Sequence, residues 1–170
     1  VALVAPEIHW NTGNAGRSCL AAGARVHLVD TLGCSPDDRA IRRSGLDYWN
    51  RVDLQRWDGW PSFERALPGL GSPYLFSADA NLDYWDVEYP SEVTLVFGGE
   101  SRGLPPELRE SYRERLVRLP MAGREVRSLN LSTCVGIAVY EVLRQWRQRR
   151  LAVLAHLAQA AVKALGDEAG

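Results

Sequence analysis

Apolar runs of strand length alternate with helical segments along most of this chain, and that alternation constrains the fold more than any other feature. Val1 to Ala5 reads as a buried first strand, Arg25 to Asp30 as a second and Tyr48 to Leu54 as a third. Tyr74 to Ala78, Val93 to Phe97 and Leu116 to Leu119 follow as compact apolar runs bounded by Gly, Pro or Asp. Between them, Asn11 to Asn14 reads as a turn leading into an Ala-rich helix that ends near Gly23. Ser35-Pro36-Asp37-Asp38 opens another helix with a capping Ser, Pro at the first position and acids in the first turn, and Gly45 ends it. Pro61 to Leu67 and Pro105 to Tyr112 read as short helices. From Leu131 the apolar positions Val135, Ala138, Val139, Val142 and Trp146 keep helical spacing. Strands alternating with helices imply an α/β fold, a mostly parallel sheet with helices on both faces.

A chain of 170 residues, 46% hydrophobic and 24% charged, is expected to form one domain with a substantial core. Leu151 to Leu165 is an Ala/Leu-rich amphipathic extension, and Gly166 to Gly170 is expected to fray. Cys19, Cys34 and Cys134 lack zinc or disulfide spacing and read as reduced thiols of a cytoplasmic protein. His9, His27 and His156 are scattered, so no metal site is expected. No basic leader precedes the first strand and no apolar run reaches membrane-spanning length, so neither signal peptide nor membrane partner is expected.

A net charge of −1 argues against nucleic-acid binding by bulk electrostatics. Nineteen of the twenty basic residues are Arg, however, clustered at Arg39/Arg42/Arg43, Arg109 to Arg127 and Arg144 to Arg150. Arginine favours bidentate phosphate contact, which leaves local RNA contact open beside a plain solvated surface.

Ligands of open α/β sheets bind at the carboxyl ends of strands, and three such ends here are polar and glycine-rich. They are Asn11 to Arg17 (NTGNAGR), Phe97 to Pro105 (FGGESRGLP), and the loop that follows Leu119 through Met121, Gly123 and Ser128 to Asn130. In the last, a strand feeds a helix start that gathers unpaired backbone N–H groups, suited to a small ligand bearing carboxylate or phosphate. Asn130 caps that helix, reaches the ligand, or does both. Asp30 is placed like the ribose-binding acid of a nicotinamide enzyme, but the G-x-G-x-x-G order of such folds is missing.

In order, N-x-G-N-x-x-R, F-G-x-E-x-x-G-L-P, and L-P-M with S-x-N-L-S and V-x-x-x-x-Y-E resemble the SPOUT superfamily of S-adenosylmethionine-dependent RNA methyltransferases. Within it, the likeness is nearest to the small tRNA ribose 2′-O-methyltransferases that act at the wobble nucleotide (the TrmL type). Arg42 to Tyr48 (RRSGLDY) also resembles a segment of that group. The resemblance covers Val1 to roughly Arg150. It departs at Gly99, where Pro is usual, at His9-Trp10, where prolines are usual, and in the C-terminal tail.

The resemblance implies a methyltransferase domain over residues 1–150, with a C-terminal trefoil knot that holds S-adenosyl-L-methionine. It implies a homodimer with composite sites, and the anticodon stem-loop of tRNA as substrate. Donor binding falls to Ala78, Gly98, Gly103, Leu119, Met121, Ser128 and Leu131. Catalysis falls to Arg17, Asn11, Glu100 and Asn130, with Ser128 assisting, and RNA contact to Arg42, Arg43 and Arg102. Glu100 would orient Arg17 or Asn11, or cap a helix. Cys134 is expected in the core rather than as a nucleophile. The alternatives are an RNA-binding module of the same fold without turnover, and a different target nucleotide in tRNA or rRNA.

Overall fold

The computed structural model describes residues 1–29, 47–123 and 125–167. The expected helix from Ser35 to Gly45, together with Asp30, Cys34, Arg42 and Arg43, lies outside the described residues. Among the described residues seven strands form one sheet: β1 (Ala2–Val4), β2 (Val26–Val29), β3 (Leu54–Trp57), β4 (Ser72–Phe76), β5 (Leu82–Asp83), β6 (Val93–Phe97) and β7 (Leu116–Arg118). Their order is β3-β2-β1-β6-β4-β7-β5, and every pairing between them is parallel. Among the described residues the helices are α1 (His9–Ala22), α2 (Trp60–Ala66), α3 (Pro106–Ser111) and α4 (Leu131–Asp167).

A parallel sheet must be covered on both faces, so its strands carry apolar residues at consecutive positions. Leu3, Leu28, Leu95, Phe97 and Val117 point to one side. There they pack with Ala15 and Cys19 of α1 and Val135, Ala138 and Val139 of α4. Ala2, Val4, Val29, Leu75 and Val96 point to the other, against Phe63 of α2 and Leu108 of α3. Each fully buried aliphatic side chain stabilises this arrangement by roughly 1.5–3 kcal/mol.

Three local readings need correction. The residues expected as a turn, Asn11 to Asn14, lie inside α1, which already starts at His9. No side chain of the helix's own first residues caps it; Glu100, 92 residues further on, holds its entrance from the next loop. The expected strand from Tyr48 to Leu54 is instead a 3-10 turn at Trp49–Arg51, and the strand begins only at Leu54. Tyr48 and Trp49 are buried, and the Tyr48 hydroxyl donates to the Gly13 carbonyl of α1 at 3.2 Å, so these rings seal a helix and not a strand pair. β5, only two residues long, carries no sequence signal and exists because β7 offers it an edge. α4 runs unbroken for 37 residues, across Arg150 and into the extension.

The connection from β4 to β5 positions the site. Phe76 of β4 and Leu82 of β5 both stand level with Val117 of β7, on its two sides. Residues 77–81 therefore strap across the end of a strand that comes later in the chain.

His27, on β2, gives the fold a pH dependence. It is buried against Phe63 and Trp57, whose indole N–H donates to its Nδ1 at 3.1 Å. Burial, aided by the nearby positive charge of Arg25, lowers its pKa to about 4. An unfolded-state imidazole binds its proton near pH 6.5, so the unfolded chain takes up more protons below that value. Stability is thus intact above about pH 6.5 and falls as pH drops toward 4, by on the order of 2 kcal/mol. Thermal unfolding of the unsubstituted protein should show this slope, and His27→Phe should flatten it. An equal slope in both would assign the acid sensitivity elsewhere.

Candidate active site

The carboxyl ends of β1, β4, β6 and β7 open onto a cleft of about 550 Å³. Its walls come from the loops after β6 and β7, the entrance of α1 and the strap after β4. Asn11, Glu100, Asn130, Ala78, Gly98, Gly103, Leu119, Met121, Ser128, Leu131 and Arg102 all line it.

The side chains at its centre form one continuous chain of hydrogen bonds. Glu100 accepts from the backbone N–H of Glu7 (2.7 Å) and Ile8 (3.2 Å) and from the Asn11 amide nitrogen (2.9 Å). The Asn11 amide oxygen in turn accepts from the Asn130 amide nitrogen at 2.8 Å. The Asn130 oxygen accepts from the N–H groups of Ser132 (2.9 Å) and Thr133 (3.3 Å) and from the Ser132 hydroxyl (2.7 Å). Asn130 therefore caps α4 with its oxygen and uses its nitrogen to join the cleft network. Of the roles left open by the sequence, the cap is formed, and the amide nitrogen is turned to Asn11 on the cleft wall.

Glu7 makes the reverse tie, accepting from the Ser101 hydroxyl (2.5 Å) and N–H (3.3 Å). Two loops are thus laced by carboxylates from each side. They lie so close that a Cβ at residue 99 would stand 2.6 Å from the Ala5 carbonyl oxygen, and one at residue 98 would stand 2.0 Å from the Gly103 carbonyl carbon. Real Cβ atoms do not approach so near, which accounts for Gly98 and for Gly99 in place of proline.

Arg17 is elsewhere. It lies on the exposed side of α1, its guanidinium 4.5 Å from the centre of the Tyr48 ring, and does not line the cleft of its own chain. Within its own chain Glu100 orients Asn11 and the entrance of α1. Arg42 and Arg43 cannot be placed, since they fall outside the described residues.

Sequence reasoning missed Asp79 and Arg109, which face each other across the cleft wall with Arg109 donating to the Asp79 carboxylate at 2.8 Å. They sit 30 residues apart and belong to no motif, so only the fold could pair them. Cys134 also lines the cleft. Burial pushes its thiol up to about 11, so at neutral pH it is no nucleophile. Among the described residues no group of three or more His, Cys, Asp or Glu side chains is placed to hold a metal ion, and no helix is long and apolar enough to cross a membrane.

The lining suits a mid-sized ligand with apolar and polar parts. Phe76, Leu119 and Leu131 offer apolar surface. The close turn at Gly98 presents backbone in place of side chains, and Ser128 adds a hydroxyl. An adenosyl group joined to an amino acid has that mixed character, and the residues present fit it.

Comparison with known proteins gives this geometry its family. Over 148 residues, 85% of this chain and 90% of the other, the sequence is 43% identical to the tRNA (cytidine(34)-2'-O)-methyltransferase of Acidovorax sp. (strain JS42). A solved structure described as giving insight into the 2-OH methylation of C/U34 on tRNA superposes with a TM-score of 0.77 at 40% identity, covering 86% of this chain and 89% of that one. An AdoMet-bound rRNA methyltransferase from Sinorhizobium meliloti superposes with a TM-score of 0.71 at 31% identity, covering 84% of this chain and 54% of that one. The model of the SpoU rRNA Methylase family matches residues 1–140, and this chain belongs to that family.

Proposed function

We propose that this protein is an S-adenosylmethionine-dependent tRNA 2′-O-ribose methyltransferase acting on the wobble nucleotide, C34 or U34. One observation carries the reading. Three segments far apart in sequence, the first turn of α1, the loop after β6 and the residue that opens α4, close into a single hydrogen-bonded chain, Glu100–Asn11–Asn130, along a cleft at the strand ends. The similarity to a tRNA (cytidine(34)-2'-O)-methyltransferase supports the choice of nucleotide.

S-Adenosylmethionine, when bound, supplies a methyl group on a sulfonium that carries its own leaving group. The protein's task is then to hold the donor, align the ribose hydroxyl and ease the loss of its proton. Ala78, Gly98, Gly103, Leu119, Met121, Ser128 and Leu131 hold the donor; Asn11 and Asn130, fixed by Glu100, shape the wall that the ribose meets. Alignment alone can correspond to effective molarities on the order of 10⁵–10⁸ M.

Arg17 acts on the hydroxyl. A guanidinium stays protonated in proteins, so it serves as a clamp on the neighbouring phosphate and as a stabiliser of the developing alkoxide, with phosphate or water taking the proton. Because Arg17 stands outside its own cleft, we place it at the cleft of a second copy, so that the working unit is a homodimer with composite sites. Arg102 on the cleft wall, together with Arg42 and Arg43, contacts the anticodon stem-loop. We also read the strap of residues 77–81 as part of a trefoil knot through which the chain returns to α4. This reading is supported by the order β4-β7-β5, where a later strand lies between two earlier ones. Residues 1–150 form the methyltransferase domain and 151–167 an added helical arm, and the protein works in the cytoplasm.

The test is to map methylated nucleotides by mass spectrometry in tRNA from cells with and without the protein, and in unmodified tRNA treated with pure protein and donor. The expected product is a 2′-O-methyl group at nucleotide 34 and nowhere else. Donor binding in calorimetry without methyl transfer would make the chain a binding module, and a methyl group at another position would move the target.

A further inference from the structure

Trp10 is the most exposed large apolar side chain among the described residues, 62% accessible, and it sits in the first turn of α1. Its neighbours Ile8 and Asn11 line the cleft. A single exposed hydrophobic residue is ordinary; a tryptophan at the lip of a site that must receive single-stranded RNA is not explained by packing. It also belongs to the pair His9-Trp10, where the sequence departs from its resemblance.

Trp10, Asn14 and Arg17 follow one another at spacings of four and three. On a helix that spacing puts them within an arc of about 60°, along about 10 Å of one face. All three are exposed, while Ala15 and Cys19 carry the opposite side of α1 into the core. The outer face of α1 is therefore a line of an indole, an amide and a guanidinium that leads away from the cleft lip. Aromatic faces receive the splayed bases of unpaired RNA, and Trp10 offers one at the lip of its own chain's cleft, while Arg17, about two turns on, serves the cleft of a second copy.

We propose that the indole of Trp10 is the stacking platform for an unpaired nucleobase next to the target nucleotide. The proposal rests on the tRNA reading above and adds to it a residue that sets RNA affinity. Stacking tolerates any base, so Trp10 holds the loop open beside the cleft without choosing its sequence. The step of chemistry does not pass through it.

The test uses the full chain, S-adenosylmethionine and an anticodon stem-loop RNA, comparing the unsubstituted protein with Trp10→Ala and Trp10→Phe. Removing one base-stacking ring should raise KM for RNA about tenfold. The value of kcat should stay within about twofold, S-adenosylhomocysteine affinity should not change, and Trp10→Phe should keep KM within about threefold. On stem-loops made abasic at each nucleotide flanking the target in turn, one of the two should abolish the difference between Trp10→Ala and the unsubstituted protein. Equal KM values on intact RNA, or a gap that survives both abasic sites, would overturn the proposal. So would a loss of dimer mass in sedimentation of Trp10→Ala, because the indole would then be covered by a second copy. If the unsubstituted protein methylates no RNA, the tRNA reading itself fails and takes this inference with it. That outcome is distinct, because no KM exists to compare.

Discussion

Arg17→Ala should lower kcat for methyl transfer by at least about 100-fold at saturating tRNA while leaving donor affinity unchanged. The loss expected on removing one preorganised charge-stabilising group from a transition state is of that size. The donor should bind normally because Arg17 is not among the residues assigned to hold it; within its own chain its guanidinium lies over the Tyr48 ring. Arg17→Lys retains a charge but loses the planar fork that fits a phosphate, so it should recover only part of the rate. Mixing provides a sharper check. Inactive Arg17→Ala combined with a variant inactive in the donor cleft should regain activity if each subunit lends its arginine to the other. Nearly normal turnover in Arg17→Ala would remove this residue from the chemistry.

Glu100→Ala should cost both stability and activity, and activity more. The carboxylate accepts three hydrogen bonds, two from backbone at the entrance of α1 and one from Asn11. Losing them from a partly buried site should destabilise the fold by about 2 kcal/mol, which for a chain of this size lowers Tm by roughly 4–8 °C. The catalytic loss has a separate origin. Without Glu100, Asn11 is free to turn, its oxygen no longer meets Asn130, and the cleft wall loses its shape. Glu100→Gln keeps the size and one acceptor, so it should recover most of the melting temperature and less of the rate. An unchanged melting temperature in Glu100→Ala would show that the entrance of α1 needs no such cap.

How much of this was legible in the sequence differs from residue to residue. Asn11, Glu100 and Asn130 were readable because each follows a strand end in a glycine-bearing stretch, and in a parallel sheet strand ends gather. The strands of the sheet interior were readable from continuous apolar runs. Their two-sided burial, Leu3 to one core and Ala2 and Val4 to the other, explains those runs. What could not be read depends on partners distant in the chain. The start of α1 relies on a carboxylate 92 residues beyond Ile8, and without it the Asn-Thr-Gly-Asn stretch carries the signature of a turn. β5 is two residues that pair only because β7 is there. Tyr48 and Trp49 have strong strand propensity and are used to cover a helix, a tertiary demand that overrides local preference. The pairing of Asp79 with Arg109 follows from the strap and from nothing in the spacing.

The lacing of Asn130 to Asn11 has a consequence for biosynthesis. The cleft wall is completed by the threshold of the last helix, which leaves the ribosome after every other element of the sheet has been made. A nascent chain therefore lacks the Asn130 side of that wall until the start of α4 has been made, so the cleft is completed late. Donor capture during translation would serve as a clock for when the final segment reaches home.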